Sequence, residues 1–308
     1  MKIFVRIDNR IREIVMLSSN QCGFVAGCGT IDAIHAARPL VEKHREKQRP
    51  SIAYRVMLYA GTSTEFPIPV GVQQGSALSH LLFVVVMDVI ARDLQKPVPW
   101  TLLYADDVML ACEDKGELER EMQAWCDRLA MFGLKLNVKK TEYSVTDLNE
   151  SGSIKINCTK LARTSVFKYL GSAIASDGSL MVEVNSHVGA AWSKWRSLTG
   201  VLCDKKMPEC LSSKIYKIVV RPVAMYGAEC WPATKETESR LRVMETKTLR
   251  WMAGVTRLDR IRNEAIRQKF GVVPIADNMR EARLRWCGHV LRGKEDCVRK
   301  IGLNCKVS

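Results

Sequence analysis

Leu102-Leu103-Tyr104-Ala105-Asp106-Asp107-Val108-Met109-Leu110 sets two adjacent carboxylates between two short apolar runs. Thr101 to Tyr104 reads as one buried strand and Val108 to Ala111 as a second, which puts Asp106 and Asp107 at the tip of a hairpin. Two like charges side by side in an apolar setting cost free energy unless cations or hydrogen-bond donors neutralise them. Hard oxygen ligands of this kind suit Mg²⁺ or Mn²⁺. An Asp-Asp pair is equally at home in a solvated turn, and the pair alone does not separate the two readings.

The surrounding stretches shift the balance. Upstream stands Gly71-Val72-Gln73-Gln74-Gly75-Ser76-Ala77-Leu78-Ser79-His80-Leu81-Leu82-Phe83. Downstream stand Gly133-Leu134-Lys135-Leu136-Asn137-Val138-Lys139-Lys140-Thr141-Glu142 and Phe167-Lys168-Tyr169-Leu170-Gly171. With Tyr104-Ala105-Asp106-Asp107 as a YxDD box, these resemble, in order and spacing, the GVxQGxxxSPxLF, hxLNxxKT and FxYLG boxes of reverse transcriptases. The non-LTR (LINE-like) retrotransposon enzymes are the subgroup most resembled. The likeness runs from Asn20 to Arg292, and Gln21 to Ala33 is similar to the QxGFxxGxxTxDA region of their fingers. His80 stands where the family often has proline; proline presets a first helical turn, so a local cost is expected there.

The resemblance implies an α+β fold: a right-hand polymerase palm with a small antiparallel sheet. It divides the chain into a fingers remnant (1–50), a palm (51–146), a primer-grip-like hairpin region (147–182), a helical thumb (183–255) and a basic helical C-terminal appendage (256–308). It also implies RNA-directed DNA synthesis from deoxynucleoside triphosphates on an RNA template with a DNA primer or target. In that reaction two divalent cations activate the primer hydroxyl and hold the triphosphate. Asp106 becomes the main ligand of Mg²⁺ (or Mn²⁺) and Asp107 the accessory one. Gln74, Gly75 and Tyr104 line the nascent pair, and Phe167, Tyr169, Leu170 and Gly171 grip the primer. Lys140 becomes a proton donor to pyrophosphate, although the same lysine on a bare surface has no such role.

One box is absent. Family members carry an FxDxxxAFD strand, which supplies the third metal-binding carboxylate, and then a long helix. Here Ser51-Ile52-Ala53 leads straight into Tyr54-Arg55-Val56-Met57-Leu58-Tyr59, and the acids between Thr30 and Gly71 are Asp32, Glu42, Glu46 and Glu65. The chain therefore reads as internally truncated near Ile52 to Tyr54. The expected consequences are a missing palm strand, a Thr101–Tyr104 and Val108–Ala111 hairpin whose edge is left unpaired or covered irregularly, weakly held metal and crippled catalysis. The alternative is a non-catalytic nucleic-acid-binding remnant.

Composition is consistent with both. The 308 residues are 47% hydrophobic and carry a net charge of +14, an excess that points to polyanions. Eleven scattered cysteines without a C-x-x-C pair read as reduced thiols of an intracellular protein. Neither Cys22 with Cys28, nor Cys287 with His289 and Cys297, has finger-like spacing. No apolar run approaches the roughly 20 residues of a membrane span, so no membrane partner is expected.

Helical periodicity places further elements. Ile3 to Leu17 reads as a short extended start followed by an amphipathic helix, and Thr30 or Asp32 caps the next one. Ser76 to Leu94 is apolar nearly all round and so is expected to be buried. Lys115 to Phe132 shows Leu118, Met122, Trp125, Cys126 and Leu129 on one face, ended by Gly133. Ile154 to Ile156 and Phe167 to Leu170 read as short strands of one hairpin. Further helices cover 183–200, 211–226 and 236–253. Trp192, Trp195, Trp231 and Trp251 lie among basic residues and suit either helix packing or base stacking.

Overall fold

The computed structural model describes residues 10–46, 52–60, 78–146, 153–157, 159–204, 206–293, 298 and 300; for 43, 44 and 52–60 it describes the backbone alone. The chain divides into two compact units, one made of residues 1–178 and 293–308 and the other of 179–292. Among the described residues no helix is long and apolar enough to cross a membrane.

The first unit is built on a mixed sheet. Its strands are β1 (Ile52–Ala60), β2 (Thr101–Tyr104), β3 (Asp107–Cys112), β4 (Leu134–Leu136) and β5 (Glu142–Val145). The order is β2-β3-β1-β5, all antiparallel, with β4 on the far end of β1 and a short strand at Ala162–Arg163 added parallel to β5. Helix α1 (Thr30–Glu46) lies against β2. Helices α2 (Ser79–Ala91) and α3 (Lys115–Met131) share a core with Leu103, Val108 and Leu110, the alternate residues of β2 and β3. The expected face of α3 is the buried one: Leu118, Met122, Trp125, Cys126 and Leu129. Asp114 caps its start by accepting from Glu117 N–H at 2.7 Å, and Gly133 follows its end with φ +72°.

Four expectations need correction. The hairpin has no unpaired edge. β1 pairs β3 from Ile52↔Cys112 to Met57↔Asp107 and pairs β5 on its other side. On the free side of β2, Asn20 to Cys22 runs alongside: Leu103 N–H donates to Asn20 O at 2.9 Å and Cys22 N–H to Leu103 O at 2.8 Å. A strand therefore does stand beside the hairpin, formed by the β-branched and aromatic run IAYRVMLYA, and it contains no acidic residue. Second, α2 is not buried all round. Leu81, Val84, Met87 and Ile90 are enclosed, while Val86 and Val89 are 52% and 63% exposed, because the sheet covers one side only. Third, the helix near the N-terminus is confined, among the described residues, to 10–14, and Ile14 points to solvent. Fourth, 155–156 does not pair with 167–170. Lys155–Ile156 pairs with Thr159–Lys160, and β6 (Val166–Tyr169) pairs with β7 (Ser172–Ala175). Leu170 (φ +49°) and Gly171 (φ +85°) make the two-residue turn between β6 and β7, which positive φ at both positions fits.

The second unit is helical: α4 (Leu180–Ser197), α5 (Glu209–Ile215), α6 (Arg221–Ala224), α7 (Lys235–Met252), α8 (Asn263–Phe270) and α9 (Ile275–Leu291). Tyr216–Val220 joins α5 to α6 as a π turn just before Pro222, whose ring has no N–H and crowds the preceding turn. Its core joins Val184, Trp195 and Trp231 to Ile266, Phe270, Ile275 and Met279, so the stretch read as an appendage contributes to the same core as the preceding helices.

Glu245 of α7 ties these helices together. It is fully buried and accepts from Tyr216 OH (3.2 Å), Arg221 Nη2 (2.8 Å), Arg267 Nε (3.4 Å) and Ile275 N–H (3.1 Å). Burial, and then the charge of Glu245, push the Tyr216 hydroxyl well above its ordinary pKa. Removing one partner of a buried, hydrogen-bonded ion pair costs about 3–5 kcal/mol, since the other is left uncompensated. Glu245→Ala is therefore expected to lower the unfolding free energy of the 179–292 unit, read from its urea transition, by a margin of that size, and Glu238→Ala, at the exposed pair with Arg280, by under about 1 kcal/mol. Equal losses in the two variants contradict the assignment.

Candidate functional site

The site is a turn of two residues. Tyr104 and Asp107 pair at the end of the β2–β3 ladder, and Ala105 and Asp106 cross between them. Ala105 takes φ +55°, the left-handed conformation that a two-residue hairpin asks of its first turn position and that a residue with a Cβ adopts at a cost. Asp106 is exposed, and Asp107 and Tyr104 are half-buried.

What holds Ala105 in place is the segment beside β2. The fully enclosed Gln21 accepts, through Oε1, from Gly23 N–H (2.9 Å) and Ala105 N–H (3.3 Å). A Cβ on Gly23 would lie 2.5 Å from Ala105 N and 3.0 Å from the Tyr104 carbonyl carbon, so only glycine lets the two backbones approach. The glycine-rich run after Asn20 is thus a clamp on the carboxylate turn. Asp32 lies at the start of α1, where its Oδ2 accepts from Gly29 N–H at 2.8 Å, a helix-starting contact.

Tyr169 also belongs here. Its side chain is completely buried and packs with Phe167, ring centroids 6.3 Å apart. Burial first, and then the charges of Cys22 and Asp107, push its hydroxyl well above the ordinary range. The Cys22 thiol is raised by its hydrogen bond with Cys28 and then by burial.

The structure thus gathers Tyr104, Asp106, Asp107 and Tyr169 at one end of the sheet. Lys140 is exposed on the turn between β4 and β5, its backbone N–H donating to Asn137 O at 3.0 Å. Leu170 and Gly171 are the turn of the β6–β7 hairpin, and Lys168 N–H ties that hairpin to Glu142 of β5 at 3.2 Å. Gln74, Gly75 and Glu65 lie outside the described residues.

A divalent cation of the hard-oxygen class asks for more than this turn offers. Among the described residues Asp106 and Asp107 belong to no group of three metal-ligating side chains. Met57, and not an acid, stands opposite Asp107 in the ladder, and no residue of β1 is acidic. Among the described residues, two carboxylates are fewer ligands than a two-cation centre asks for. Sequence reading missed a different cluster, Cys112, Glu117 and Glu121. Lys96 fills it, 2.6 Å from Glu117, in contact with Glu121 and 3.5 Å from Cys112 Sγ. Burial lowers the affinity of Lys96 for its proton, but the two carboxylates outweigh this and hold it charged. Burial and then the bond to Glu121 push the Cys112 thiol up to about 12. The four-residue spacing of Glu117 and Glu121 on α3 is the only local trace of this cluster.

Residues 41–174 match the family described as reverse transcriptase (RNA-dependent DNA polymerase). Over 151 residues, 42% of the chain, the sequence is 28% identical to the retrovirus-related Pol polyprotein from type-2 retrotransposable element R2DM of Drosophila melanogaster. That stretch spans 14% of the polyprotein's length.

Two outcomes are expected at this site. Mn²⁺ added to the chain gives a weak water-proton relaxation enhancement that disappears in the Asp106→Asn, Asp107→Asn double variant; an enhancement unchanged in that variant places the ion elsewhere. Gly23→Ala overpacks the clamp and lowers stability by about 1–3 kcal/mol, read as a shift in the urea midpoint, whereas Gly189→Ala, with open space at its Cβ position, leaves it unchanged or raised.

Proposed function

From a reverse transcriptase domain of the non-LTR retrotransposon kind over residues 41–174, we propose a chain built for RNA-templated DNA synthesis but crippled in it by an internal truncation. The substrates of the ancestral reaction are deoxynucleoside triphosphates and the 3′ hydroxyl of a DNA primer or target on an RNA template. Asp106 is the principal carboxylate and Asp107 the accessory one, and Tyr104 lies beside the nascent pair with Gln74 and Gly75. Phe167 to Gly171 steady the primer strand. Lys140 is the candidate proton donor to the leaving pyrophosphate.

The observation that carries the crippled reading is the register of β1. The strand next to the carboxylate turn sets Met57 opposite Asp107, and Ile52 to Ala60 contains no acid. Two-metal displacement requires fixed positions for the attacking and leaving oxygens. A misplacement of about 1 Å can cost a hundredfold in rate, and a lost ligand weakens cation binding as well.

Primer extension on an RNA template, run with Mg²⁺ and with Mn²⁺, tests this. The expected result is no product above that of the Asp106→Asn variant. Robust extension that Asp106→Asn abolishes overturns the proposal and means that a carboxylate outside the described residues, such as Glu65, completes the site. A second reading, a binding remnant without catalysis, is favoured by the charge of +14; template binding with no extension under either cation is its signature.

A further inference from the structure

In the second unit, a cleft of about 580 Å³ opens between the C-terminal half of α7, the loop after it and the start of α8. Its wall carries Arg242, Lys247, Arg250, Arg257, Arg260 and Arg262. The one acid on the wall, Glu264, pairs with Arg267 at 3.7 Å. Asp259, in the loop, turns to the Thr256 backbone N–H and hydroxyl.

Arg250 is spent on the loop itself. Its guanidinium donates to Ile261 O (3.0 Å), Asn263 Oδ1 (3.3 Å) and Thr256 O, which fixes the chain between 256 and 263. The other five cations are exposed, and none has an ion-pair partner among the described residues. Three exposed cations elsewhere on this unit do have acidic partners: Lys269 with Glu209, Arg280 with Glu238 and Arg285 with Glu281. Arg260 is also held at φ +49°, a conformation that costs an arginine free energy and persists here because Arg250 braces the loop. A cleft lined by one sign of charge concentrates the opposite sign.

Trp251 is not part of the cleft wall but follows Lys247 by four residues, hence one turn along the same face of α7; it is 65% exposed, its inner edge against Trp195 at 5.9 Å between centroids. An indole that presents most of its surface to water next to unpaired cations suits a ligand with alternating phosphates and flat bases.

We propose that this cleft binds the backbone of a single-stranded nucleic acid, with Arg242, Lys247, Arg257, Arg260 and Arg262 on phosphates and Trp251 stacked on one base. The site is independent of the carboxylate turn and of any catalysis. It takes RNA and DNA alike, because nothing in the cleft distinguishes the sugar and backbone contacts carry no sequence information.

The test is fluorescence anisotropy of the full chain with labelled oligo(U), labelled oligo(dT) and a labelled DNA duplex. EDTA is present throughout, so binding through the carboxylates and a cation does not contribute. Neutralising three cations together (Arg257→Gln, Arg260→Gln, Arg262→Gln) is expected to weaken both single strands at least tenfold at low salt and to reduce the log–log salt slope by about 2. Trp251→Ala is expected to weaken them roughly fivefold or more and to remove the tryptophan quenching that accompanies binding. The control Lys206→Gln, Lys214→Gln, Lys235→Gln removes the same charge at residues that do not line the cleft and is expected to act much less. Equal losses in the control, duplex binding as tight as single-strand binding, or an unaffected Trp251→Ala variant each overturn the proposal. If the triple variant does not melt cooperatively, Lys247→Gln on the solvent face of α7 carries the test through its salt slope, which is expected to fall by about 0.7.

Discussion

The carboxylate turn exists because the strand beside it is filled. A two-stranded hairpin is marginal alone in water, and β2–β3 gains its rigidity from β1 on one side and from Asn20 to Cys22 on the other. The geometry that satisfies the backbone, however, is indifferent to the side chain that arrives with it. Ile52 to Ala60 supplies the ladder hydrogen bonds and no acid. Folding and chemistry therefore separate at this strand: the sheet closes, and under the proposed function the ligand set stays short by one.

Closure also explains the strain at Ala105. Its left-handed backbone is held by Gln21 and by the close approach of Gly23, both from the segment before α1. Strain at a turn persists where the surroundings over-determine it. The segment before α1 thus contributes to the site as a clamp on the turn. The second unit follows the same logic at Glu245, where one buried carboxylate collects donors from the π turn, α6, α8 and the start of α9. In both units a single polar acceptor fixes segments that apolar packing alone leaves free to slide.

These features differ in how far they can be read from the chain. The hairpin, the inner face of α3 and the tight turn at Leu170-Gly171 are local: period and turn chemistry announce them. The ordered boxes around Asp106 and Asp107 announce the family. The pairing of Ile52–Ala60 with β3 is not announced, because a nine-residue apolar run is compatible with many partners and the absence of an acid says nothing about hydrogen bonds. Val89 looked like core by its type, but burial depends on whether a second layer exists to cover it. Glu245, the Lys96 cluster and the clamp by Gln21 join residues far apart in sequence and leave no periodic trace. The tryptophans divide between the two readings open to them: Trp195 and Trp231 are core, whereas Trp251 faces water.

The central claim is that one missing carboxylate, at the β1 position opposite Asp107, limits the site. Residues directly opposite in an antiparallel ladder carry Cβ atoms about 4.5–5.5 Å apart, so an aspartate introduced at 57 joins the existing pair. The direct measurement is Mn²⁺ affinity by electron paramagnetic resonance in the parent chain, in Met57→Asp and in Leu58→Asp, one step along the strand on the opposite face. The account predicts at least tenfold tighter binding for Met57→Asp alone, lost again when Asp106→Asn is added. Unchanged affinity in Met57→Asp, or an equal gain in Leu58→Asp, would contradict both the register and the claim.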